Sequence, residues 1–324
     1  MSSIEVVKGS PAKSESAVIA SAISRIAQIC GPDAATAVNK YLKINNEDQI
    51  VKTAHNAGSS DCWINAAEYQ LLKSDKGKLA ELFLKLAEEG HLTKEMFTQG
   101  DPNSDTSYGL GSRSGASLAL DLALQKKYRA TAGATDEIIT QFESDLRGEN
   151  VIAVFNGRGE NGLNGSSSIK TILQSSNLAS GMRFSVRWAD QGGQHFYHMV
   201  SVQEIKDGRV YFYQPNPVKD IPGPNRQFHR PGLESMSISD FEKIIRVAYV
   251  PESVVAQRKN IKEVPDPAYA QAQRGELDTS EYIKVGVDTI IKPFINSDVL
   301  KKMSFGGVAD EISDSIKKIA SVGK

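Results

Sequence analysis

The chain has 324 residues, of which 40% are hydrophobic and 24% charged, and its formal net charge is -1. These values are ordinary for a globular protein, and the near-neutral balance excludes recruitment of nucleic acid or anionic lipid by bulk charge. Two cysteines are too few for a disulfide framework, and no Cys/His spacing matches a zinc site.

In chain order, residues 1–16 are polar and rich in Ser and Lys and read as a flexible lead. No basic segment is followed there by an apolar core, so no Sec signal is expected. No run approaches the ~18 apolar residues of a membrane span. The expected location is the cytoplasm, or export without a Sec signal, with delivery into a host or target cell as one route. From Glu15, the recurrence of Ile19, Ile23, Ile26 and Cys30 at steps of three and four predicts a helix that Gly31-Pro32 ends. Cys30 falls on the apolar stripe and reads as a packed core thiol. A second helix is predicted over 33–42, followed by helices over 62–72, 76–89, 116–129 and 135–146.

The pattern then changes. Runs at 150–155, 183–189, 196–205, 209–215 and 245–251 are β-branched and aromatic, bounded by Gly, Asn, Asp and Pro. Lys-Asp-Gly at 206–208 predicts a hairpin, and one helix over 168–178 separates the first two strands. A final amphipathic helix carries Ile312, Ile316, Ile319 and Val322. Helices followed by an antiparallel sheet indicate an α+β fold. The predicted division is 1–50 as lead and N-terminal helices, 51–250 as the catalytic domain, and 251–324 as a C-terminal helical extension.

One cysteine stands apart from packing. Gly-Ser-Ser-Asp-Cys-Trp at 58–63 places Cys62 in the first turn of a helix, with Ser60 or Asp61 as N-cap. Unpaired N–H groups and the helix dipole there favour a thiolate, the attacking species in nucleophilic catalysis. Among the five histidines, His55, His91 and His229 lie in loop-like surroundings and read as surface residues. His195 and His198 open the strongest strand and point to opposite faces, His198 sharing its face with Val200 and Val202. The hairpin returns Gln214 and Asn216 beside His198, where a side-chain carbonyl accepts the imidazole N–H and fixes its tautomer. Trp63 reads either as cleft lining or as packing. Asp101, Asn103 and Asp105 begin like a calcium loop, but that loop lacks its central Gly and terminal Glu. The Gly-rich stretch 157–168 lacks the Gly-Lys-Ser/Thr of a phosphate loop.

His198 follows Cys62 by 136 residues and Asn216 follows His198 by 18. This order resembles that of the papain-like cysteine peptidases, and Asp61-Cys62-Trp63 with Ala66 and Ala67 is most similar to the calpain branch. His198-Met199-Val200-Ser201-Val202 fits that family's His-x-x-Ser-Val strand, and Asn216-Pro217 fits its Asn-Pro. The resemblance implies a two-lobed fold, a helical lobe carrying Cys62 facing a β lobe carrying His198 and Asn216. It also implies cleavage of a protein or peptide substrate through an acyl-enzyme, without metal or cofactor. Where the family has an oxyanion-hole Gln, this chain has Asn56, which offers the same N–H one methylene shorter. His195 and Gln214 are the alternates for base and orienting group. The terminal helical segments are candidate contacts for a chaperone or an inhibitor. Two further readings stand beside peptide hydrolysis: transglutamination, deamidation or acyl transfer by the same groups, and a binding protein on an inactive peptidase-like scaffold.

Overall fold

A computed structural model describes residues 14–54, 61–99, 115–130, 134–156, 167–189, 195–215, 232–257 and 261. All of them fall in the first of two compact units, Met1–Pro265; the second is Asp266–Lys324. The predicted C-terminal stripe from Ile312 to Val322 lies outside the described residues, as do His55 and His229.

The N-terminal half is helical. Helix α1 (Glu15–Cys30) starts where the Ser14 hydroxyl accepts from the Ala17 N–H at 3.3 Å, and it buries Ala22, Ile26 and Cys30. Pro32 then opens α2 (Pro32–Leu42), where a missing N–H costs nothing. A short α3 (Glu47–Thr53) leads toward the cysteine turn, followed by α4 (Cys62–Ser74) and α5 (Lys76–Glu88). Helices α6 (Ala116–Tyr128) and α7 (Asp136–Arg147) complete this part. Buried alanines on α4 and α6, among them Ala66, Ala67, Ala119 and Ala123, keep the facing surfaces small so that the helices pack closely. Cys30 lies in this core and its S–H donates to the Leu92 carbonyl at 3.5 Å. Both Cys30 and Cys62 are free thiols.

The C-terminal half forms one antiparallel sheet. Its strands are β1 (Val151–Phe155), β2 (Arg183–Ala189), β3 (His195–Lys206), β4 (Arg209–Gln214), β5 (Gly232–Ser237) and β6 (Ile245–Pro251). They lie in the order β1-β6-β2-β3-β4-β5. The β3–β4 hairpin closes at Asp207 and Gly208, with φ values of 51° and 73°. Positive φ at both turn residues matches the twist of the flanking strands, which is why Asp-Gly marks such turns. The helix expected over 168–178 is two pieces, α8 (Ser167–Leu173) and α9 (Ser176–Ala179).

The sheet separates two cores. On one face Phe155, Met199, Tyr213, Val247 and Tyr249 join the helical core built by α1, α2 and α4–α7. On the other, Val186, Val200, Val202, Phe212 and Val250 pack with Ile169, Ile172 and Leu173 of α8 and with Phe241 of α10 (Ile238–Ile244). After β6 the chain enters α11 (Glu252–Gln257). The architecture is therefore α+β, with helices on both faces of an antiparallel sheet.

A buried polar network joins α4 and α7 to the sheet. Arg183 of β2 forks onto both carboxylate oxygens of Glu143 and donates to Gln70 Oε1 at 3.1 Å. The Ser201 hydroxyl of β3 reaches the same Gln70 oxygen at 2.8 Å, and Arg147 donates to the Gly181 carbonyl at 2.8 Å. Gly181 has φ +76°, a conformation that favours glycine, and a Cβ there would lie 2.6 Å from Gln70 Nε2 and push that amide aside.

Candidate active site

Cys62 is the first residue of α4 and partly exposed. Asp61 holds the N-cap position, but its buried side chain makes no capping bond, contrary to the expectation from sequence. Ser60 lies outside the described residues. Trp63 is a packing residue, not a wall of a cleft: it is 2% exposed and meets Phe142 and Tyr128 edge to face at 4.9 Å and 6.0 Å. That aromatic cluster fixes the start of α4 and with it the position of the neighbouring thiol.

Burial pushes the Cys62 thiol up to about 12. A main-chain hydrogen bond at Met199 opposes this, the Asp61 carboxylate adds to it, and main-chain groups at Trp63 and Cys62 itself oppose it. The Met199 bond matters for placement, because it brings Cys62 against β3 at the residue that follows His198.

His198 is 2% exposed on β3, cross-strand from Val186. Burial takes its imidazole down to about 3, while the side-chain amide of Gln214 on β4 acts in the opposite direction. Gln214 is fully buried and follows Val210 and Phe212 at alternate positions of β4, so it shares the His198 side of the sheet. Met199 lies on the opposite side, toward α4. The thiol and the ring thus approach one short stretch of β3 from its two sides. The structure brings Cys62 to Met199 and sets His198 and Gln214 on one side of the sheet. Asn56, Asn216 and the side chain of His195 lie outside the described residues. His91, expected at the surface, stands with its side chain 30% exposed near Glu89.

Burial favours the neutral thiol at Cys62 and the neutral imidazole at His198. Tyr213, which no sequence signal singled out, is a further buried polar group in this region; its ring shares the α4 side of the sheet with Met199. Strand alternation shows that side, but no sequence signal shows which group the hydroxyl meets. Among the described residues no group of three or more His, Cys, Asp or Glu is placed to hold a metal ion, and no helix is long and apolar enough to cross a membrane.

The depressed His198 value has a consequence for stability. The unfolded chain takes up a proton near the ordinary value of 6.5, whereas the folded chain does so only near 3. Folding is thus favoured by this group above that window, and the contribution is lost as pH falls through it. His198→Gln removes the titration. Urea midpoints of variant and wild type, followed from about pH 7.5 to about pH 4, are expected to shift steadily in favour of the variant as pH falls. A difference that does not change with pH contradicts this.

Comparison of the chain with protein-family models, with curated proteins and with solved structures gives no match.

Proposed function

We propose that the chain is a cysteine-type hydrolase that cleaves peptide bonds through a thioester at Cys62, on a scaffold of the papain-like kind. One observation carries the reading. A thiol in the first turn of a helix packs at Met199, the residue next to a buried histidine that shares its side of the sheet with a buried amide, Gln214. The reading requires His198, whose ring lies on the other side of β3 from the thiol, to reach Sγ; it then takes the Sγ proton as sulfur adds to the substrate carbonyl carbon, and the carbonyl π pair moves to oxygen. The Cys62 main-chain N–H and the Asn56 amide receive that oxyanion. Collapse breaks the C–N bond, and the proton on His198 passes to the leaving amine. Water then attacks the thioester with the same base, releasing a carboxylate and restoring the thiol. Gln214 orients the ring and raises its basicity, and Asn216 is the alternate for that role.

A second reading has its own support. Burial that keeps both groups neutral suits a binding protein on an inactive scaffold. The test is a peptide mixture digested in H₂¹⁸O and read by mass spectrometry, with wild type and Cys62→Ala. New carboxyl termini carrying ¹⁸O only with wild type support hydrolysis. Cross-linked or deamidated glutamines in place of new termini assign the same thiol to transferase or deamidase chemistry. Identical products from both proteins leave the binding reading.

A further inference from the structure

We infer that the edge of β5 docks an extended polypeptide segment in which a basic residue stands between two apolar ones. The inference does not depend on the chemistry at Cys62. In the order β1-β6-β2-β3-β4-β5 the edge strands are β1 and β5. At β1 part of the edge is covered, since the Val151 N–H donates to Ser144 Oγ of α7 at 3.1 Å. At β5 the ladder fixes which groups face outward. The Ile238 N–H donates to the Gly208 carbonyl at 3.0 Å, and the register runs from Arg209↔Ser237 to Gln214↔Gly232 without a bulge. Bonded pairs alternate along an antiparallel ladder, so Met236, Glu234 and Gly232 turn their main-chain groups to β4, and Leu233 and Ser235 turn theirs away. Arg209 of β4 donates to the Ser235 carbonyl at 2.9 Å. Among the described residues, nothing bonds to the N–H and carbonyl of Leu233 or to the N–H of Ser235. Those are the donors and acceptor that an added strand takes.

The side chains on this edge select what pairs there. Leu233 is cross-strand from Tyr213, on the α4 side of the sheet, and is 44% exposed. Glu234 is cross-strand from Phe212, on the other side, half-buried in the row that carries Met236. Among the described residues no cation or hydrogen-bond donor meets its carboxylate, and burial alone pushes that group up to about 7. Residues opposite each other on neighbouring strands share a face, with Cβ atoms about 4.5–5.5 Å apart. A Lys or Arg opposite Glu234 therefore meets the carboxylate, and an apolar residue beside it covers Leu233. A second copy of the chain fits less well. Its own β5 would set Gly232, Glu234 or Met236 opposite Glu234, and none of these carries a positive charge.

The probe is the fluorescein-labelled peptide Thr-Thr-Val-Lys-Val-Thr-Thr, whose pattern is the same in either strand direction. Binding to the full chain is read by fluorescence anisotropy. Saturable binding is expected, and replacing the central Lys by Glu is expected to weaken it about tenfold, the scale of exchanging an attractive cross-strand pair for a repulsive one. Glu234→Gln is expected to bring the two peptides to within about twofold of each other. A peptide N-methylated at both valines keeps every side chain but offers no N–H to the Leu233 carbonyl, and is expected to bind about tenfold more weakly or worse. That comparison uses wild type alone, so it holds if the variant does not fold. No saturable binding of the Lys peptide overturns the inference, as does equal affinity for the Lys and Glu peptides. A charge preference that survives in Glu234→Gln overturns it, as does undiminished binding of the N-methylated peptide. A dimer in sedimentation that Leu233→Asp dissolves assigns the edge to a second copy and also overturns it.

Discussion

On the proposed hydrolase reading, His198→Ala is expected to lower peptide cleavage by about 10²–10⁴-fold, the range for removal of a general base from an attack step. The loss falls on kcat more than on KM, because the imidazole is needed as the thiol adds and not for holding substrate. The size of the effect follows from the Cys62 environment. Burial holds that thiol up to about 12, so without a neighbouring base hardly any thiolate forms at neutral pH. Gln214→Leu preserves approximate volume, leaves the ring without its amide and lowers the same rate by a smaller factor, on the order of tenfold. Equal kcat in wild type and His198→Ala contradicts the assignment.

The largest expected effect on stability lies away from the site. Glu143→Ala leaves the guanidinium of Arg183, itself 3% exposed, without its carboxylate, and breaking such a buried pair costs about 3–5 kcal/mol. Arg147 loses its Glu143 contact at 3.3 Å in the same step. The network spans α4, α7, β2 and β3, so its loss loosens the contact between the helical core and the sheet. Urea unfolding measures the change. The paired replacement Glu143→Leu with Arg183→Met removes both charges and is expected to recover most of the loss, because it strands neither partner. A single variant as stable as wild type contradicts the account.

The parts of the fold that repeat a simple period were legible in the sequence. The Ile19–Cys30 stripe gave a helix with its stop at Gly31-Pro32, and five apolar strands matched the observed ones to within about two residues. The Asp-Gly turn at 207–208 had its own backbone signature. What escaped were elements without a period. Helix α3 has one turn's worth of apolar positions and is held by Tyr69, Ser117 and Tyr213 from elsewhere in the chain. Strand β5, Gly-Leu-Glu-Ser-Met-Ser, is a polar edge strand that pairs with β4 alone. Within 167–179 the Gln-Ser-Ser-Asn run favours caps over helix interior and divides the element in two.

The site divides in the same way. Cys62 at a helix start and His198 on an apolar strand face followed from spacing and alternation. That Asp61 would occupy the cap position without capping, that Trp63 would close on Phe142, and that Met199 would be the point of contact with the thiol all depend on tertiary packing.

The rate of Cys62 alkylation against pH, in wild type and His198→Ala, tests the central claim most directly. The account predicts that wild type labels near neutral pH with help from the imidazole. It predicts that the variant labels only in the alkaline range, as the buried thiol ionises. Superimposed profiles for the two proteins contradict it, and Cys62 is then a packed thiol on which no base acts.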